Sequence, residues 1–171
     1  LEVIKNLKPG VKWPDMHLLA ESVILKGLMD LNILKKDFPI EKMLEDRIAY
    51  YFMPHGLGHF MGLEVHDVGG YLSFNPKRSE KDGLRSLRTS RVLQKGNCIT
   101  VEPGIYFILC LIERVFAIEK IKKYFNEDVL RTYIGFGGVR IEDDVLITED
   151  GCINMSGALP RTTEEIEKLM S

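Results

Sequence analysis

His55-Gly56-Leu57-Gly58-His59-Phe60-Met61-Gly62-Leu63-Glu64-Val65-His66-Asp67 holds three of the four histidines in the 171-residue chain. Histidine titrates closest to neutral pH and is the commonest metal ligand, so three within a dozen residues ask for a chemical reason. Glycines at 56, 58 and 62 allow backbone or ligand to come close. They also make helix a poor choice for the segment. In an extended chain His55 and His59 project from the same side, because side chains alternate with a period of two. The alternative is a glycine-rich strand and loop whose histidines are merely hydrogen-bonded.

Two later segments bear on that choice: Thr100-Val101-Glu102-Pro103-Gly104-Ile105-Tyr106 and Gly137-Gly138-Val139-Arg140-Ile141-Glu142-Asp143-Asp144. Each sets a carboxylate in an apolar, β-favouring run, where an unpaired charge is costly to bury. A metal shared with a histidine would supply the cation, and so would an arginine such as Arg140. Pro103 pushes Glu102 into extended geometry and so fixes the direction of its carboxylate. In regular pleat Arg140, Glu142 and Asp144 share one face, with Val139, Ile141 and Val145 on the other. A metal-bearing strand and an exposed edge strand both show that pattern.

Segments 54–71, 83–91, 100–106 and 135–144, together with Lys8-Pro9-Gly10-Val11-Lys12-Trp13-Pro14-Asp15-Met16-His17, resemble the C-terminal part of the prolidases, the Xaa-Pro dipeptidases. These belong to the metallopeptidase family that includes methionine aminopeptidase and aminopeptidase P. The resemblance runs nearly end to end and weakens at 31–46, 72–82 and 109–131. It implies an α/β fold of α+β type, the pita-bread fold, in which two related halves carry mixed sheets flanked by helices. Residues 1–171 would form a C-terminal portion of that catalytic domain.

The family holds two metal ions with two aspartates, one histidine and two glutamates. His59 matches the histidine, and Glu102 and Glu142 match the glutamates. The resemblance makes Glu102 also the acid/base that manages the proton of the attacking water. His55 and His66 match histidines that contact substrate and developing charge. Arg88 matches the position that holds the substrate's terminal carboxylate, which a guanidinium can grip with two parallel hydrogen bonds. Arg140, two residues before Glu142, is placed to orient it. A carboxylate-rich site with one imidazole suits Mn2+, and affinity alone would also admit Co2+ or Zn2+. The two aspartates should lie upstream of the first helix, and no Asp-x-Gly segment before residue 55 replaces them. The expectation is a C-terminal fragment or truncated product with three of five ligands, inactive alone, whose freed edges and helix faces bind another chain or aggregate.

The expected substrate is an Xaa-Pro dipeptide, and the family implies a homodimer. An aminopeptidase P-like enzyme acting on longer peptides is the alternative within the family. A pita-bread module kept for binding peptides or proteins is the alternative outside enzymes. Lys plus Arg at 23 against Asp plus Glu at 25 offers no electrostatic reason for a nucleic acid or an anionic membrane as partner. No apolar run is long enough to span a bilayer, and residues 1–10 lack the layout of a secretory signal. Cys98, Cys110 and Cys152, odd in number and widely spaced, read as reduced, buried thiols of a cytoplasmic protein.

Local patterns complete the reading. Residues 1–7 end a helix, and Trp13-Pro14-Asp15 opens another with Leu18, Leu19, Val23, Leu25, Leu28 and Met29 as its apolar stripe. His17 is expected as a surface or packing histidine. Tyr50 to Met53 is predicted as a strand leading into Pro54, with a short helix or irregular connection before it. Residues 91–97 read as strand and turn, 98–107 as a strand interrupted at Pro103-Gly104, 112–124 as helix, and 136–148 as a strand pair or one bent strand. Glu149-Asp150-Gly151 is a hairpin-type turn, and Thr162-Thr163-Glu164-Glu165 is a capping box opening a last helix to Met170.

Overall fold

Pro14 at the start of the long helix supplies a pre-set φ where no helical N–H partner exists, which explains why the chain turns into helix at this point. A computed structural model describes residues Leu1–Ser171. Helix α1 spans Glu2–Asn6 and α2 spans Trp13–Asp30, with Gly10 at φ 89° in the turn between them. The helix falls where predicted, and of its predicted stripe Leu25 and Leu28 are fully buried and Leu18, Leu19 and Met29 pack partly buried against the core, but the inward face is wider and shifted. Trp13, Met16, His17, Ala20, Glu21, Ile24, Leu25 and Leu28 are buried, whereas Val23 is 44% exposed. Those positions recur every three to four residues and form one stripe. His17 is accordingly a packing histidine, not a surface one.

Helix α3 (Ile40–Glu45) is followed by a 3₁₀ turn at Ile48–Tyr51, where a strand had been predicted at Tyr50 to Met53. Arg47 enters that turn at φ 58°, and Tyr51, Phe52 and Met53 are buried by it. The extended stretch comes slightly later. Tyr106 N–H donates to Phe52 O at 2.9 Å, Glu102 to Leu57 at 2.8 Å, Thr100 to His59 at 2.9 Å, and Met61 to Cys98 at 3.1 Å. Residues 52–61 therefore run antiparallel to 98–106 without a regular ladder. In residues 91–97 the predicted strand is reduced to an isolated bridge, Lys12 to Val92, while the predicted turn forms at Lys95-Gly96, with Asn97 N–H donating to Gln94 O at 3.0 Å.

Strand β1 (Cys98–Val101) and β2 (Gly104–Tyr106) are separated at Glu102-Pro103, as the proline requires. Helices α4 (Leu109–Ala117) and α5 (Glu119–Lys122) break at extended Ile118, and α6 spans Glu127–Thr132. Strands β3 (Gly138–Arg140), β4 (Asp143–Ile147) and β5 (Cys152–Asn154) follow, then α7 (Thr163–Met170). Antiparallel pairing joins β1–β4–β5 in one sheet and β2–β3 in another. The β4–β5 turn is the predicted hairpin, with Thr148 N–H donating to Gly151 O at 3.0 Å. Both halves of the predicted capping box form at Thr162 and Glu165. Val139 and Ile141 are 57% and 51% exposed, the exposed-edge alternative that the alternating pattern left open. Cys110 is exposed and Cys98 and Cys152 are only half-buried, so the thiols are free but not deeply buried.

One contiguous apolar core runs from Val3 to Ile147, with Trp13, Tyr124 and Phe52 its largest fully buried side chains. Tyr124 Oη donates to Asp46 Oδ2 at 2.6 Å. Burial and that bond push the Tyr124 phenol up to about 12, and the same bond holds Asp46 below the usual carboxylate range. A phenol raised in the fold stabilises it fully below the ordinary tyrosine value of about 10, and that contribution is lost as pH rises through the folded value. Melting temperature is therefore expected to fall between about pH 10 and pH 12, and Tyr124→Phe to flatten that fall while costing about 1.5 kcal/mol at neutral pH. Thermal melts of both proteins across the alkaline range check it.

Candidate metal centre

The two sheets share one register. Val101 stands opposite Asp143 and Gly104 opposite Arg140, so Glu102 and Glu142 face each other across the gap where the strands switch sheets. Like charges directly opposite on antiparallel strands repel. His59 approaches from the adjoining extended segment, with its Nε2 3.2 Å from Glu102 Oε1. One donor atom from each of His59, Glu102 and Glu142 lies within 4.8 Å of the others. The predicted three ligands thus come from three separate segments to one point.

The chemistry of this set fits a cation. His59 Nδ1 lies 3.0 Å from Phe60 O, and a proton donated there leaves Nε2 with only its lone pair. That lone pair then faces a carboxylate oxygen, an arrangement between two acceptors that calls for a shared cation or a proton. Arg140 supplies part of the compensation: its Nε is 3.8 Å from Glu102 Oε2 and 3.6 Å from Glu142 Oε2. Tyr106, Glu102 and Glu142 in turn hold the Arg140 guanidinium above its ordinary value. Thr100 pins two of the donors: its Oγ1 donates to Glu102 Oε1 and accepts from His59 N–H, both at 3.0 Å. Thr100 was not anticipated there; its one signal in the sequence is its place two residues before Glu102 in a strand.

A cavity of about 700 Å³ opens over this cluster. His55, His59, His66, Arg88, Glu102, Arg140 and Glu142, the seven residues expected at the site, all line it. His66 is exposed, and its ring stands edge-on to His59 with centroids 4.3 Å apart. His55 Nδ1 is 2.8 Å from Gly56 O, while its buried Nε2 has no partner. With Nδ1–H directed to that carbonyl, Nε2 donates only as imidazolium and otherwise accepts. Arg88 is exposed at the cavity wall. Arg78 was not anticipated there. It stacks 4.0 Å over Tyr71 and donates to the carbonyls of Arg85 and Leu87 at 2.9 and 2.5 Å. In the sequence it sits in a polar run indistinguishable from a solvated basic loop.

Gly58 shows why glycine sits beside the ligand. A Cβ there would stand 2.0 Å from the backbone oxygen of Thr100, which cannot swing aside. Gly58→Ala is expected to push His59 off its partners and to weaken metal binding by about 10–10²-fold, the range seen for disturbed supporting contacts. The same overpacking should cost about 1–3 kcal/mol of stability. Metal titration and a denaturant melt read the two effects.

Comparison with known proteins fits this geometry. The family model for metallopeptidase family M24 matches residues 1–149. The Xaa-Pro dipeptidase of Homo sapiens is 48% identical over 169 residues, covering 99% of this chain and 34% of that protein. A Sordaria macrospora protein named "probable Xaa-Pro aminopeptidase" is 45% identical over 170 residues, covering 99% of this chain and 35% of its own. Among solved structures, aminopeptidase P from Escherichia coli with the inhibitor Pro-Leu superposes with a TM-score of 0.67 at 30% identity, covering 99% of this chain and 31% of that one. The chain spans about a third of the length of the curated relatives it matches and corresponds to their C-terminal part. Its fold is that part of the pita-bread arrangement. No helix is long and apolar enough to cross a membrane.

Proposed function

Since the chain belongs to metallopeptidase family M24, we propose that it is the C-terminal, metal-donating portion of the catalytic domain of an Xaa-Pro dipeptidase. The observation that carries this reading is one cavity holding the His59–Glu102–Glu142 cluster together with Arg88. The cluster provides the hydrolytic end, and Arg88 provides a grip for a substrate's free carboxylate.

His59, Glu102 and Glu142 would hold the metal, Mn2+ by the oxygen-rich donor set, with Co2+ or Zn2+ within reach of the same ligands. Bound there, a divalent cation lowers the pKa of water and polarises the scissile carbonyl. Three donors suit one ion, and a two-metal site of the family kind would need further carboxylates beside these three. Glu102 would take a proton from the attacking water and return it to the proline nitrogen as the C–N bond breaks, so that the amino acid and proline leave with charges balanced. His55 and His66 would face the substrate carbonyl, where oxyanion charge develops. Arg140 would hold the two glutamates in place without touching substrate. Arg88 would pair with the proline carboxylate and so reject peptides that continue beyond it.

Three free thiols fit a reducing compartment, and a cytoplasmic location is part of the proposal. So is the homodimer, which the family resemblance supports. The test is proline release from glycyl-proline by the manganese-loaded native polypeptide, beside cleavage of a longer Xaa-Pro peptide. The dipeptide is expected to be preferred. Clear preference for the longer peptide would make the enzyme aminopeptidase P-like, and cleavage of neither would leave a binding module.

A further inference from the structure

The chemistry above leaves unused the cluster His17, Glu21 and Arg47, which lies outside the cavity. His17 and Glu21 are fully buried, and Arg47 is nearly so. Glu21 Oε1 receives both partners, Arg47 Nη2 at 2.5 Å and His17 Nε2 at 3.0 Å. Glu21 Oε2 and His17 Nδ1 have no partner. Arg47 carries the left-handed backbone noted above, at φ 58°. A buried ion pair with unmet polar atoms and a strained residue is a poor way to stabilise a core, since apolar residues of the same volume serve as well or better. The arrangement fixes position instead.

What it fixes is the start of the segment that carries Arg88. Arg47 Nε donates to Asp82 O at 2.7 Å, and Nη1 to Leu44 O at 3.4 Å. The next residue, Gly83, has φ 78° and lies against the cluster: a Cβ there would be 2.9 Å from Arg47 Nη2 and 3.0 Å from Glu21 Oε1. From Gly83 the chain makes a 3₁₀ turn over Leu84–Ser86, Ser86 Oγ donates to Pro54 O at 3.0 Å, and Leu87 is buried. Arg88 then emerges into the cavity. Asp82 O is therefore the anchored end of a short rigid arm, and Arg88 is its tip.

We propose that Arg47, held by Glu21, is a positioning residue for carboxylate recognition: it sets where the Arg88 guanidinium stands. This rests on the dipeptidase reading of the site. The loop from Ser73 to Asp82 is mostly polar and exposed, so the Arg47 bond to Asp82 O fixes the far end of the arm, while the Arg78 bonds to Arg85 O and Leu87 O and the Ser86 bond to Pro54 O brace it nearer the tip.

The test compares glycyl-proline with glycyl-prolinamide, which lacks the carboxylate, using the manganese-loaded native polypeptide. Arg88→Ala serves as reference and should erase the preference for the free acid. Arg47→Ala is expected to raise KM for glycyl-proline by about 10–10²-fold with kcat within about threefold, and to leave the amide's kinetics unchanged, as misplacement of a binding group does. Glu21→Gln, which keeps the shape and lowers the hold on Arg47, should do the same more weakly and covers the case in which Arg47→Ala does not fold. Arg47→Lys should recover part of the preference. Equal losses on acid and amide, or full preference retained in both Arg47→Ala and Glu21→Gln while Arg88→Ala loses it, would make the cluster merely structural and overturn the proposal. Retained preference in Arg88→Ala would instead sink the dipeptidase reading itself.

Discussion

Glu102→Gln in the manganese-loaded native polypeptide is expected to lower kcat on an Xaa-Pro dipeptide by about 10²–10⁴-fold, the range that general acid–base catalysis supplies. The amide keeps an oxygen that can face the metal and can still accept from Thr100 Oγ1, which lies 3.0 Å from the carboxylate now. What it lacks is the capacity to take up and return the water's proton. KM should therefore change little, since a group that acts only in the transition state moves kcat and kcat/KM together. Steady-state kinetics with the metal content measured on the same samples distinguish this from simple loss of the ion. A variant that retains both metal and full kcat would remove Glu102 from the proton path.

Arg88→Ala should produce the second large effect, on recognition. A guanidinium that pairs with the carboxylate of a bound substrate is worth several kcal/mol when one partner is removed, which corresponds to a fall in kcat/KM of about 10²–10³-fold for the dipeptide. A peptide extended beyond proline never makes that contact, so its cleavage should be unchanged or improved. The ratio of the two substrates, measured in wild type and variant, isolates the carboxylate term from general damage. A uniform drop on both would mean that Arg88 supports the fold instead of the substrate.

The seven expected site residues could be picked out because they sit in short motifs that resemble those of a known family; residue types alone left the two glutamates open between a metal and an arginine, and left Arg88 in a basic loop. The convergence of the seven could not be picked out, because it depends on register. Nothing local shows that Val101 pairs with Asp143 and Gly104 with Arg140, which is what sets Glu102 against Glu142. Local signals served well where one residue decides the backbone: Pro103 splits the strand, and Thr162 with Glu165 opens α7. They failed where tertiary packing decides. The stripe through Leu18, Leu19 and Val23 looks apolar, yet α2 turns Met16, Ala20 and Ile24 inward and carries His17 and Glu21 into the core with them. Charged groups there gave no sequence signal, since a helix face bearing histidine and glutamate normally reads as solvated. Tyr50 to Phe52 has strand composition, but the positive φ of Arg47 tips the chain into a 3₁₀ turn and delays the extended run. Arg78 and Thr100 were hidden for a different reason: their roles lie in what they brace.

Whether His59, Glu102 and Glu142 form one metal site is read by a manganese titration of residues 1–171 at equilibrium beside His59→Ala. One equivalent is expected to bind to the wild-type chain through these three donors and to be lost in the variant. Manganese bound equally well by His59→Ala, or none bound by the wild type, would contradict the shared site.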